Sequence, residues 1–133
     1  MKKNLFTLLS ALAIVSLALA ACATPAPVAP TAMPAKAFRI GLVTDVGKVD
    51  DKSFNQSAWE GAQCGAKETG GTTKYIETTD PKDYDKNIAQ FGDEGYDVIV
   101  TVGFALGEAT IKNAAKYTKA KFIGVDQFQE KPT

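Results

Sequence analysis

Histidine is missing from all 133 residues of this chain. Its absence removes the commonest general base and the commonest metal ligand. Cysteine occurs only at Cys22 and Cys64, too sparse for a disulfide framework or a zinc site. Neither sign of charge is in excess. Fifteen basic side chains stand against 15 acidic ones, so there is no basic footprint for binding nucleic acid through phosphate neutralisation. The Gly-rich phosphate signatures are also wanting: Gly103-Phe-Ala-Leu-Gly107 is neither a Gly-x-Gly-x-x-Gly nor a Walker A sequence. Asp45-Val-Gly-Lys-Val-Asp-Asp lacks the sixth-position glycine and the closing glutamate of an EF-hand loop. No nucleophile–base pair is visible, because the only groups able to act as a base are carboxylates without a placed partner. Catalysis, a bound metal and a cofactor are therefore not expected.

Long apolar runs are scarce too, and the one present lies at the N-terminus. Lys2 and Lys3 precede a stretch from Leu5 to Ala21 that only Thr7, Ser10 and Ser16 interrupt. It has the form of a secretory signal peptide over residues 1–21. Its end, Leu19-Ala20-Ala21-Cys22, resembles the lipobox at which lipoprotein precursors are diacylated on sulfur and cleaved. The run is short for a span of ~20 apolar residues, so lipidation of Cys22 is the expected outcome. Residues 22–37 shift to Ala, Pro and Thr, with prolines at 25, 27, 30 and 34. Such a segment favours extended backbone and can build no core, which suits a tether from a membrane surface. The folded unit is then residues 38–133, with Cys64 expected to be buried as a small apolar side chain.

Within that unit two periodicities alternate. Phe38 to Asp45 reads as a strand buried on both faces. Ser53-Phe-Asn-Gln56 has the form of a capping box, and Ala58, Ala62 and Ala66 follow at helical spacing up to Gly70-Gly71. Lys74 to Thr78 is a weaker strand suited to an edge. Asp80-Pro81 opens a second helix with Tyr84, Ile88 and Phe91 as its buried stripe. Tyr96 to Val102 is the most strand-like run. After Gly103-Phe104 a third helix carries Ile111, Ala114, Ala115 and Thr118 on one face, and Lys121 to Asp126 closes the series as a fourth strand. The order β-α-β-α-β-α-β, with crossovers of this length, predicts parallel strands and right-handed connections. The fold class is α/β, a doubly wound parallel sheet ordered 2-1-3-4.

In open parallel sheets ligands bind beyond the carboxyl ends of the strands, where the strand order reverses. Here that point lies between the first and third strands, and Asp45, Phe54, Asn55, Gly103 and Asp126 all fall on that rim. Asp45 and Asp126 are acceptors for hydroxyls or ring N–H groups, and Asn55 offers both a donor and an acceptor. Phe54 would present a ring face for stacking, and Gly103 lets a ligand approach the backbone. Trp59 is expected to pack between the first helix and its neighbours. Asp50, Asp51 and Lys52 are expected to solvate the loop, where the acids also suit a helix N-terminus.

Asp45-Val-Gly, Asp51-Lys-Ser-Phe-Asn-Gln56, Trp59-Glu-Gly61, Val102-Gly-Phe104 and Gly124-Val-Asp126 together resemble the basic membrane lipoprotein family. Its members are substrate-binding lipoproteins of ABC transporters, and the near relatives bind purine nucleosides. The resemblance runs from the lipobox to about Phe128. It implies that Phe54 stacks on the base, that Asn55 and Asp126 hydrogen-bond the base edge, and that Asp45 holds a ribose hydroxyl. It also implies ABC permease subunits as partners and a lipid-anchored location outside the cytoplasm. Family members resemble two-lobed type I periplasmic binding proteins, of which this chain would be an incomplete N-terminal lobe. Lys48 departs from the family pattern, which has a second glycine there. A sugar or another small polar ligand is the alternative that the fold class leaves open, and a surface lipoprotein acting through protein contacts is another.

Overall fold

The computed structural model describes residues 36–128. The leader, Cys22 and most of the tether lie outside them. Four strands, β1 (Arg39–Val46), β2 (Thr72–Thr78), β3 (Val98–Val102) and β4 (Lys121–Val125), alternate with three helices. These are α1 (Phe54–Glu68), α2 (Tyr84–Asp93) and α3 (Gly107–Lys116); short 3-10 turns, Pro81–Asp83 and Phe104–Leu106, lead into α2 and α3. Every strand pair is parallel, as the crossover lengths predict, and the order is β2-β1-β3-β4, as expected of the doubly wound class. The edge position of β2 also agrees with its sequence pattern.

Alternation along the central strands divides the core between the two faces of the sheet. Ile40, Leu42, Val100 and Val102 face α1 and meet Ala62 and Ala66. Val43 and Ile99 face the opposite way, toward Ile88 and Phe91 of α2 and Leu106 ahead of α3. Small residues on α1 let that helix lie close to the sheet. Trp59 packs edge-on against Tyr75 of β2 with ring centroids 4.9 Å apart, the packing role expected of it. Beyond α1 the same face is left open: an apolar groove is lined by Ala58, Gly61, Val98, Val100, Ile123 and Val125.

Several local expectations are corrected. Ser53 does not cap α1 through its side chain. Asp51 does so instead, its carboxylate accepting from the backbone N–H groups of Ser53 (2.8 Å), Gln56 (3.1 Å) and Asn55 (3.3 Å). An ionised acid is the stronger acceptor at a helix N-terminus and displaces the hydroxyl. Cys64 is exposed, because it lies two residues from both Ala62 and Ala66 and so on the opposite side of α1. On α3, Ile111, Ala115 and Thr118 are exposed, and the buried residues are Gly107, Thr110 and Asn113. Hydrogen bonds explain the inversion. Thr110 Oγ1 donates to Thr101 Oγ1 (2.8 Å), and Asn113 Nδ2 donates to Asp85 Oδ1 (3.0 Å), so both polar side chains are buried with partners. Finally, β3 starts at Val98 and not at Tyr96. The Asp97 carboxylate accepts from the Arg39 backbone N–H at 2.8 Å, which holds that residue in the turn.

Candidate functional site

The carboxyl ends of β1 and β3 lie side by side where the strand order reverses. Asp45 sits one residue from the end of β1, half-buried. Asn55, in the first turn of α1, is buried, and its Nδ2 donates to Asp45 Oδ1 at 3.4 Å. Gly103 follows β3 with φ +104°, a conformation that L side chains rarely adopt. A Cβ on Gly103 would also collide with the Asp45 carboxylate. Glycine at this position is therefore what lets Asp45 stand against the end of β3. Asp45, Asn55 and Gly103 are thus brought into direct contact.

Phe54 and Asp126 flank this group. Phe54 is the first residue of α1 and is 59% exposed, next to the buried Asn55. Asp126 follows β4 with φ +56° and is exposed. Gly103 N–H donates to the Val125 carbonyl at 3.0 Å, which ties the ends of β3 and β4 together next to Asp126. Phe104, adjacent to Gly103, is 78% exposed on the same rim. Asn55 Oδ1 is buried without a hydrogen-bond partner. A buried carbonyl oxygen left unpaired costs stability unless a ligand or water supplies a donor.

Sequence reasoning missed the residues that hold the β1–α1 loop in shape. Thr44 Oγ1 donates to the Gly47 carbonyl (2.9 Å), and Glu77 Oε1 accepts from Val49 N–H (2.9 Å). Gln56 Oε1 accepts from Lys52 N–H (3.2 Å), where Lys52 has φ +57°. Asp51 carried a usable signal: an aspartate three residues ahead of a helix start is placed to form an Asx turn with the N-cap residue. Glu77 carried none, because its partner is 28 residues away in sequence. Among the described residues no cluster of three metal-ligating side chains occurs, and no helix is long and apolar enough to cross a membrane. A hollow at the opposite end of the sheet, lined by Lys36, Tyr96, Asp97 and Tyr117, contains none of the rim residues.

Among the described residues, three carboxyls titrate below their ordinary range. Desolvation pushes Asp51 up, but the N–H groups of Gln56, Ser53 and Asn55 together outweigh it and hold the group low. The Lys82 ammonium lowers Asp80, and the Lys36 ammonium with the Arg39 N–H lowers Asp97. Carboxyls depressed by folding stabilise the fold above their unfolded value of about 3.9, and that contribution is lost as pH falls further through their folded values. The melting temperature should therefore stay level from neutral pH to about 5 and drop below about 4. An Asp51→Asn chain should show a shallower drop in the same thermal melts, because an amide does not titrate.

Comparison with known proteins places these residues in a family. Residues 38–132 match the family model described as ABC transporter substrate-binding protein PnrA-like. The ABC transporter nucleoside-binding protein BmpA of Lactococcus lactis subsp. cremoris is 34% identical over 131 residues, which are 95% of this chain and 37% of that protein. A CD4+ T-cell-stimulating antigen of Listeria monocytogenes is 38% identical over 96 residues, 68% of this chain and 27% of the antigen. Among solved structures, an ABC transporter solute-binding protein of Aeropyrum pernix superposes with a TM-score of 0.64 at 28% identity, over 71% of this chain and 26% of that one. The chain thus spans well under half the length of the curated relatives it matches.

Proposed function

The chain belongs to the PnrA-like family of ABC transporter substrate-binding proteins, and from that premise we propose that its rim forms one wall of a purine nucleoside site on a transporter-linked lipoprotein. The observation that carries this reading is the contact group of Asp45, Asn55 and Gly103 beside the exposed Phe54 ring. A nucleoside needs both kinds of surface. Its base offers a flat face and a polar edge, and its ribose offers hydroxyl donors. Phe54 supplies the stacking face. Asn55 Oδ1, buried and unpaired, supplies an acceptor for an N–H of the base edge. Asp126 supplies a second acceptor at that edge, and Asp45 accepts from a ribose hydroxyl. Nothing in this set cradles a phosphate, and nothing in it performs chemistry: the reading is of a binding protein, not an enzyme. The nucleoside-binding name of the Lactococcus relative supports the ligand class.

NMR titration of the chain with inosine, adenosine, adenine, cytidine and ribose is the test, since it tolerates the weak binding expected of a single wall. Shifts at Asp45, Phe54, Asn55 and Asp126 should appear with the purine nucleosides. Asp45→Ala should weaken nucleosides and spare free adenine, because its proposed partner is the ribose. Asp126→Asn should change the ranking among bases, because an acceptor-only group becomes one that also donates. Ribose binding as strongly as inosine would overturn the reading in favour of a sugar ligand.

Residues 1–21 act in this reading as a lipoprotein leader and residues 22–37 as the lipidated tether, which puts the site outside the cytoplasm beside ABC permease subunits. Two or more acyl chains on Cys22 would anchor the protein stably, at ~0.8 kcal/mol per buried CH₂. Intact mass should show a chain starting at Cys22 with added acyl mass, and Cys22→Ser should leave the detergent phase. An unmodified precursor would end the proposal.

A further inference from the structure

Gln127 lies outside every role given so far, yet its side-chain amide makes three hydrogen bonds to β3 and the residue after it. Its Nε2 lies 3.2 Å from the Thr101 carbonyl, 3.1 Å from Thr101 Oγ1 and 3.2 Å from the Gly103 carbonyl. Two of the three acceptors are carbonyl oxygens, which fixes the orientation of the amide: the reversed amide would set oxygen against oxygen. Thr101 Oγ1 also accepts from Thr110, so the grip continues into the buried start of α3.

The path of the chain shows what this grip does. To reach back to β3, the Gln127 side chain folds over Gly124, and a Cβ on Gly124 would collide with it. The reversal takes place at Asp126, which has φ +56°. Left-handed backbone is the less populated state for an L residue, though aspartate enters it more readily than most, so ties to the surroundings decide whether it is held there. Two ties do so here. The Gly103 N–H holds the Val125 carbonyl on one side of Asp126, and the Gln127 amide holds β3 on the other.

We propose that Gln127 is a positioning residue: it latches the ends of β3 and β4 together and keeps Asp126 in the left-handed turn that presents its carboxylate at the rim. The proposal rests on the nucleoside reading for the ligand that Asp126 meets, but the latch itself is a property of the backbone. When the latch is lost, Asp126 relaxes toward extended backbone and the binding-competent fraction falls. For aspartate the left-handed state is disfavoured by only a few-fold, so affinity should fall roughly three- to fivefold.

Two substitutions test it by different routes. Gln127→Met keeps the volume and removes the donor. Gly124→Ala leaves the amide intact and displaces it. Backbone carbon shifts and the amide-to-Hα coupling at Asp126, read by NMR without ligand, should leave the left-handed range in both variants. Inosine affinity should fall roughly three- to fivefold in each, and that loss should disappear when Asp126 is already alanine. Left-handed values at Asp126 in both variants would overturn the latch. So would an affinity loss of unchanged size in the Asp126→Ala chain, because Gln127 would then act by some other route. If the parent chain fails to bind inosine while the backbone shift at Asp126 is seen, the ligand reading falls and the latch stands.

Discussion

Phe54→Ala should weaken purine nucleoside binding by about tenfold or more, since stacking of a base on an aromatic ring is worth ~1–3 kcal/mol by alanine substitution. The reason lies in where the ring sits. Phe54 opens α1 and stays 59% exposed, while the next residue, Asn55, is buried with only 5% exposed. The ring stands free next to Asn55, whose Oδ1 is an unpaired acceptor. Trp59 provides the control. Its ring is spent on Tyr75 and on the partly buried edge of the core facing α1. Trp59→Ala should therefore lower the melting temperature and leave the dissociation constant nearly unchanged. Titration of both variants with inosine separates the two roles. If Phe54→Ala binds inosine as tightly as the parent, the ring is not a stacking platform and the assignment of the rim fails with it.

How much of this was legible in the sequence depends on the range of the interaction. The parallel sheet followed from crossover length and alternation, which are properties of contiguous segments, and the strand order was that expected of the doubly wound class. The rim followed as well, since a parallel sheet sends every strand end to one side and the motif residues lie at those ends. Lateral contacts were not legible. Thr101 with Thr110 and Asn113 with Asp85 decide which face of α3 is buried, and in each case a polar residue outcompetes the exposed Ile111 because it brings a partner. Apolar periodicity cannot see such pairs. The capping of α1 by Asp51 was missed for a different reason: Ser53 fits the usual pattern, and the choice between hydroxyl and carboxylate depends on the turn at Lys52. Gly103 was assigned by its place on the rim, but the reason it must be glycine, its contact with Asp45, required the fold.

Phe91→Ala should cost about 3–5 kcal/mol of stability, the usual effect of emptying a buried aromatic site. Stability for a domain of this size is only ~5–15 kcal/mol, so the loss removes a large share of it. Phe91 is 2% exposed and packs edge-on against Tyr96 with centroids 4.6 Å apart. Its other side lies on the backbone of β1 at Gly41, where a Cβ would come within 2.5–2.8 Å of three ring atoms. Gly41 and Phe91 are thus a size-matched pair, with the missing side chain making room for the large one. Gly41→Ala should destabilise on its own by about 1–3 kcal/mol, through overpacking in the central strand. In the Phe91→Ala chain the same methyl would enter the vacated space. The double variant should therefore be more stable than the sum of the single losses allows, by an amount within the ~0.5–3 kcal/mol seen for residues in contact. The face of the sheet toward α1 cannot compensate, because its groove beside Ile123 is open to water. Urea melts followed by the fluorescence of Trp59, on the far face of the sheet, measure all four chains with one probe. Strictly additive losses, or a Gly41→Ala chain as stable as the parent, would show that the Phe91 ring does not rest on β1.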